Sequence, residues 1–355
     1  MSSSSTVDAH ARAVSAPIRT LDELEERLSR PTPAVLHALQ RAAGDLVVLG
    51  AGGKMGPTLA RMAARAFAEL GSSNWVYAVA RFSQPEVRDR LEGWGVRTVA
   101  CDLLDRRALA ELPDAPQVVY MAGQKFGTTG TPAMTWAFNT WMPALVAERY
   151  AAAQVVVFST GNVYPYVSVA RGGACEETPV DPVGEYGASC VGRERIFEYF
   201  SAQRGMRCAV VRLNYAVELR YGVLVDIAQK VFREEPVDLT AGCFNAIWQG
   251  DANAQALALL AHCSAPPFVL NVTGPETVSV YWAATRFGEL FGRAPQFVGS
   301  EAPTALLANS ARAQQLFGYP SVSIHQMVEW IADWLGAGGP LLARPTHFET
   351  RDGRY

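Results

Sequence analysis

The run from Leu46 to Met62 constrains the fold more than any other part of the chain. Four apolar residues, Leu46 to Leu49, stop at Gly50; Gly53 and Gly56 follow at intervals of three, and an alanine-rich helical pattern begins at once. A strand that passes through a glycine turn into a helix start can hold a pyrophosphate. Gly50 permits the sharp exit, Gly53 lets the backbone meet a phosphate with no Cβ in the way, and Gly56 lets the helix pack close to the strand. The unpaired N–H groups of the first helical turn then face the anion. Glycine spacing alone also fits a structural turn in an unrelated α/β protein. The strand before it and the helix after it make dinucleotide binding the expectation.

Alternation continues past the turn. Strand patterns lie near Trp75 to Ala80, Val96 to Cys101, Gln117 to Met121, Gln154 to Phe158 and Arg207 to Leu213, with helical stretches at Ala133 to Ala151 and Glu185 to Ala202. This order predicts an α/β fold, a Rossmann-type doubly wound parallel sheet. Beyond Tyr215 short strands (Asn245 to Trp248, Phe268 to Val272) mix with helices (Asp251 to His262, Val280 to Phe291, Ile324 to Leu335), which predicts a smaller α/β C-terminal substrate lobe closing over the end of the sheet. The expected divisions are an N-terminal extension (1–44), a dinucleotide-binding domain (45–215), the lobe (216–335) and an irregular tail (336–355). Residues 1–20 should be disordered. Two helices of the extension, Leu21 to Leu28 and Pro33 to Ala43, should pad the sheet edge or a subunit contact.

A net charge of −3 gives no reason to expect nucleic acid or an acidic membrane as partner. No apolar run is long enough to span a bilayer, the Ser-rich start lacks the apolar segment of a signal peptide, and six scattered cysteines carry no metal-ligand spacing. The expectation is a cytoplasmic protein with reduced thiols and no metal. Lysine occurs only at Lys54, Lys125 and Lys230. At the end of the second strand, where NAD binders place a carboxylate, no Asp or Glu occurs between Glu69 and Glu86. Arg81 could pair with a 2′-phosphate, Ser83 could donate to it and Lys54 adds charge, so NADP is favoured over NAD. Arg81 as a solvated surface arginine is the alternative.

Several motifs in order resemble the extended short-chain dehydrogenase/reductases of the nucleotide-sugar epimerase/dehydratase type, over roughly Leu46 to Leu335. The glycine turn matches G-x-x-G-x-x-G; Cys101 to Asp105 is similar to G-D-L-x-D; Tyr120 to Lys125 resembles the strand end of UDP-galactose epimerases; and Phe158 to Tyr164 resembles S-S-x-x-V-Y. Glu176 to Tyr186 resembles the acidic, proline-bearing approach to the catalytic tyrosine, and Gln249 to Asp251 and Asn271 to Gly274 resemble later landmarks. The resemblance implies a cofactor site made by Gly50, Gly53, Lys54, Met55, Gly56, Asp102, Leu103, Ala122, Gly123, Lys125, Asn139, Tyr186 and Asn214. It implies catalysis by Tyr186 as proton donor or acceptor, with Thr160 orienting the reacting oxygen.

The pattern breaks at one position. The family has Y-x-x-x-K, and here Cys190 stands where the lysine would. In the family that lysine lowers the tyrosine pKa and bonds the nicotinamide ribose; a neutral thiol supplies neither charge nor donors, and a free tyrosine titrates near ~10. Lys125 could lend positive charge, or serve only a phosphate. Cys190 could act as a thiolate, or simply pack. On the substrate side Asn162, Tyr215, Arg220 and Trp248 are candidates, with Tyr221 and Gln249 beside them; each aromatic could instead be core, and Thr160 could instead bond its own loop. His347 and Glu349 in the tail could reach the pocket. No diagnostic nucleotide clamp is present, so a free sugar, sugar acid or polyol is as good a substrate as a sugar nucleotide. Trp136, Phe138, Trp141 and Met142, with Ile196, Phe197, Tyr199 and Phe200, present enough apolar surface to expect a homodimer. The expected function is an NAD(P)-dependent oxidoreductase or epimerase acting on a sugar-like substrate. A dinucleotide-binding sensor or scaffold that has lost the chemistry is the alternative.

Overall fold

The computed structural model describes residues 16–354, apart from 42, 43, 126, 128, 129 and 343. Most of the segment expected to be disordered lies outside the described residues. Its end does not fit that expectation: Ile18 is buried, and Thr20 caps helix α1 (Leu21–Leu28) through a reciprocal bond with Glu23.

Seven parallel strands form the central sheet. They are β1 (Leu46–Leu49), β2 (Val76–Ala80), β3 (Arg97–Ala100), β4 (Gln117–Tyr120), β5 (Gln154–Thr160), β6 (Arg207–Leu213) and β7 (Phe268–Val272), in the spatial order β7-β6-β5-β4-β1-β2-β3. All four residues of β1 and of β4 are buried, as expected for strands covered by helices on both faces. Because β1 pairs with β2 on one side and β4 on the other, the crossovers leave in opposite directions there. A crevice opens at the carboxyl ends of these two strands, where α/β sheets bind ligands. The last strand, β7, comes from beyond Tyr215 and joins the sheet beside β6.

Helix α2 (Pro33–Gln40) precedes β1, and α3 (Gly56–Glu69), α4 (Pro85–Gly93) and α5 (Arg106–Ala110) alternate with the next strands. Helices α1 and α2 pack against α3 and against α10 (Gln249–Ala258). They therefore cover a helical layer and not the sheet edge: Leu24 and Leu28 enter the core of the C-terminal lobe, Val35 and Leu39 that of the sheet. In the lobe, α9 (Val223–Phe232), α11 (Val280–Phe291) and α13 (Ile324–Gly336) share an apolar core with Phe244, Trp248 and Trp330.

The stretch after β4 is helical but interrupted. Helix α6 (Pro132–Trp136) passes through a wide π turn (Ala137–Trp141) into α7 (Met142–Arg149). Pro143 has no N–H to give the Asn139 carbonyl four residues back, which is where a regular helix would put it. That carbonyl accepts instead from Arg193 Nε at 3.4 Å. Arg193 lies on α8 (Gly184–Arg204), the long helix that follows β5. Among the described residues no helix is long and apolar enough to cross a membrane, and no cluster of His, Cys, Asp and Glu could hold a metal ion.

Candidate active site

A cavity of about 270 Å3 lies at the carboxyl ends of β1, β4, β5 and β6. The glycine turn forms one wall through Gly50, Gly53, Lys54 and Met55, and Thr160, Asn162, Tyr186, Asn214 and Tyr215 face it from later in the chain. The three glycines behave as their spacing demands. A Cβ on Gly50 (φ 89°) would lie 2.6 Å from the Ala122 nitrogen, and one on Gly56 would lie 2.4 Å from the Ala51 carbonyl oxygen. A Cβ on Gly53 would meet nothing nearer than the Gly50 oxygen at 3.5 Å, so the space above it is open to a ligand. No side chain caps the start of α3. Its first N–H groups are left for an anion, and the turn fits the pyrophosphate of a dinucleotide.

Tyr186 stands in the first turn of α8, half-buried on the cavity wall. Cys190 and Arg193 follow it along one helix face. Cys190 is wholly buried and hydrogen-bonded to Tyr186; burial pushes its thiol up, against the pull of Arg193. It is a neutral packing residue and no thiolate. The positive charge comes from its neighbours. Arg193 is buried, donates from Nη1 to the Phe158 carbonyl at 2.7 Å and from Nη2 to Asn139 Oδ1 at 2.8 Å. Burial works against its charge, but Cys190, Tyr120, Tyr186 and Glu194 together outweigh that and raise its pKa. Lys125 lies over the Tyr186 ring, 5.9 Å from the centroid, and donates to the Thr346 carbonyl at 3.3 Å. Burial brings its pKa down to about 8 although Asp226 and Cys190 favour the charged form.

Thr160 ends β5 and faces the cavity, yet it is also bonded within its own loop: its hydroxyl donates to Asn162 Oδ1 at 3.0 Å and accepts from the Asn162 N–H at 3.2 Å. Below it, Ser159 and Arg212 both donate to the buried carboxylate of Glu194, and Arg212 also donates to the Tyr164 hydroxyl. This network pins β5, β6 and α8 together. Asn214 lines the cavity and abuts Gly161, and Tyr215 follows with a positive φ of 46°, turning the chain into the lobe.

Several expected site residues do other work. Asn139 is fully buried with its amide saturated by protein, donating to the Gln124 carbonyl and Ser189 Oγ and accepting from Gln124 N–H and Arg193. It holds the loop after β4 and has no bond to spare for a cofactor. Gly123 backs onto the same group, with the Arg193 guanidinium 2.4 Å from where its Cβ would be. Leu103 is buried in the core, while Asp102 is exposed beside it and accepts from the Leu104 N–H. Arg81 and Ser83 are exposed past β2, outside the cavity lining, with Arg81 over Phe138. Lys54 does not join them: its ammonium donates to the Ala216 carbonyl at 2.7 Å and rests on the Tyr221 ring, 4.4 Å from the centroid.

On the substrate side, Trp248 is buried edge-on against Trp330 and Gln249 bonds Thr58 inside the core. Arg220 is tied to Glu218 and Glu25, away from the cavity. From the tail, Glu349 pairs with Lys230, and the wall is made by Thr346, with His347 next to it outside the lining. Sequence reasoning missed Thr346 because nothing in an irregular tail marks a cavity wall. It missed Arg193 too, although a lone arginine seven residues after Tyr186 in an apolar helix face was a signal.

The model of the NAD dependent epimerase/dehydratase family matches residues 46–217. No curated protein sequence matches the chain significantly. Among solved structures, the UDP-glucose 4-epimerase of Thermotoga maritima with UDP-glucose superposes with a TM-score of 0.67 at 16% identity, over 83% of this chain and 99% of that one. The UDP-glucuronic acid 4-epimerase of Bacillus cereus with UDP-glucuronic acid and NAD gives 0.68 at 16%, over 82% and 99%. The UDP-glucose 4-epimerase of Thermus thermophilus with NAD gives 0.66 at 18%, over 81% and 98%. At these identities the structures share the fold, and the family model covers residues 46–217, just under half of the chain.

Proposed function

We propose that this chain is an NAD(P)-dependent oxidoreductase or epimerase acting on a hydroxyl or carbonyl carbon of a sugar, sugar acid or sugar-like substrate. One observation carries the reading: Gly50 and Gly53, which fit a pyrophosphate, line the same cavity as Tyr186 and Thr160. When bound, the nicotinamide supplies or takes the hydride. Tyr186 gives or takes the proton of the reacting oxygen, Thr160 orients that oxygen from the other side, and the fixed charge of Arg193 with that of Lys125 replaces what the missing lysine would provide. The UDP-sugar substrates of the structural neighbours support a sugar-like ligand.

At the adenosine end, exposed Arg81 and Ser83 with no neighbouring strand-end carboxylate support NADP; the neighbours are complexes with NAD. Equal or tighter binding of NAD would remove the NADP preference and leave the rest intact. Six unbridged cysteines support a reducing compartment such as the cytoplasm. Met134, Trp136, Trp141 and Tyr199, each at least 40% exposed, support a homodimer through α6 to α8.

The deciding experiment is Tyr186→Phe assayed with NAD(P)H against a panel of keto sugars. Turnover should fall by about 100-fold or more with the cofactor dissociation constant unchanged. The neutral thiol of Cys190 favours a second reading, a cofactor-holding sensor. No turnover in the unaltered protein, with tight cofactor binding, would select it.

A further inference from the structure

Of the chain's three lysines, two face this one cavity, and no carboxylate lines it among the described residues. Lys54 is the unusual one. It starts in the glycine turn, but its side chain crosses to the lobe, where the Ala216 carbonyl takes one N–H and the Tyr221 ring face takes the charge. An ammonium has three donors. Glu218 and Asp226 favour its charge from nearby but neither is bonded to it: Glu218 accepts from the Arg220 backbone and guanidinium, and Asp226 accepts from the N–H and hydroxyl of Thr346. A desolvated cation with donors to spare, beside a cavity without acids, is a seat for an anion.

We propose that Lys54 receives a carboxylate of the substrate, so that the preferred ligand is a sugar acid and not a neutral sugar or polyol. This rests on the function proposed above and names its substrate class. The competing anion is the cofactor's own diphosphate, which binds the N–H groups of the same turn. The direction of the side chain favours the substrate: it leaves the turn and points at Ala216 and Tyr221, where the chain enters the lobe.

The test is equilibrium binding, so it does not depend on turnover. The full chain, saturated with oxidised cofactor, is titrated calorimetrically with D-glucuronate, D-galacturonate and D-gluconate, and with D-glucose, D-galactose and sorbitol as neutral counterparts. At least one acid should bind about tenfold or more tightly than its counterpart. With the cofactor held saturating, Lys54→Met should erase that acid-to-neutral ratio, and Lys54→Arg should restore most of it. The inference is overturned if no acid is preferred. It is equally overturned if Lys54→Met weakens cofactor binding while the acid-to-neutral ratio survives, or weakens all ligands alike as a folding defect would. Selective acid binding without turnover would instead retain the seat and sink the enzymatic reading.

Discussion

At Cys190, restoring the lysine looks from the sequence like a repair that should raise activity if anything. The packing argues otherwise. The position is wholly buried and faces Arg193, which already carries a positive charge fixed by the Phe158 carbonyl and Asn139. A second, unpaired cation there should cost roughly 3–5 kcal/mol, so Cys190→Lys is expected to unfold at markedly lower denaturant while Cys190→Ala unfolds near the parent. Urea melts of both variants check this. Lys54 carries its own prediction. Burial lowers its pKa to about 8, with Arg220 acting in the same sense and Glu218 and Asp226 in the opposite one; Tyr221 covers it and Lys125 shares the cavity. The ammonium is charged below that value, so acid binding should be full near pH 7 and decline as pH rises through about 8, with neutral-sugar binding flat. A pH series of the same titrations reads it, and parallel curves would remove the role of this charge.

Among the elements, the strand, turn and helix from Leu46 to Glu69 were readable because local rules and the fold agree there: buried strand, positive-φ glycine, uncapped helix start. Tyr186 and Thr160 come from the family resemblance and not from such rules; they lie at the start of α8 and the end of β5. The π turn was not. Its cause, Pro143 depriving the Asn139 carbonyl of a partner, is local, but its answer, an arginine from a helix about fifty residues later, is not. The family resemblance makes Asn139 a cofactor ligand and does not reveal that its amide is spent on Gln124, Ser189 and Arg193. Its amide joins α6 to α8 beneath the cavity, so Asn139→Ala should strand the Arg193 guanidinium and the Gln124 backbone. We expect a loss of about 2–4 kcal/mol in folding stability, measured by chemical denaturation, with cofactor affinity changed only through that instability.

For the whole molecule, six of the seven strands of the sheet followed from alternation; the seventh, β7, reads from the sequence as part of the lobe, and the course of the tail is not legible at all. Residues with no periodicity are placed by partners that sequence does not reveal: Thr346 by Asp226, Glu349 by Lys230, Arg351 by Thr304 and the Tyr166 ring. Further on, Gly353 packs against Val183 and Gly184 at the start of the helix that bears Tyr186. Removing residues 340–355 should raise KM about tenfold or more while the cofactor dissociation constant stays within about twofold; steady-state kinetics with fluorescence titration checks both. If the proposed homodimer forms, the parent should sediment at twice 38 kDa at micromolar protein and Trp141→Glu at about 38 kDa; a parent of 38 kDa would remove the dimer.

The bond from Lys54 to the Ala216 carbonyl ties the phosphate-holding turn to the first residues of the lobe. Whatever stiffens the one therefore sets the stance of the other. Turnover should follow a compulsory sequence, dinucleotide first and sugar second, so that a dead-end sugar analogue inhibits uncompetitively against the dinucleotide in initial-rate plots.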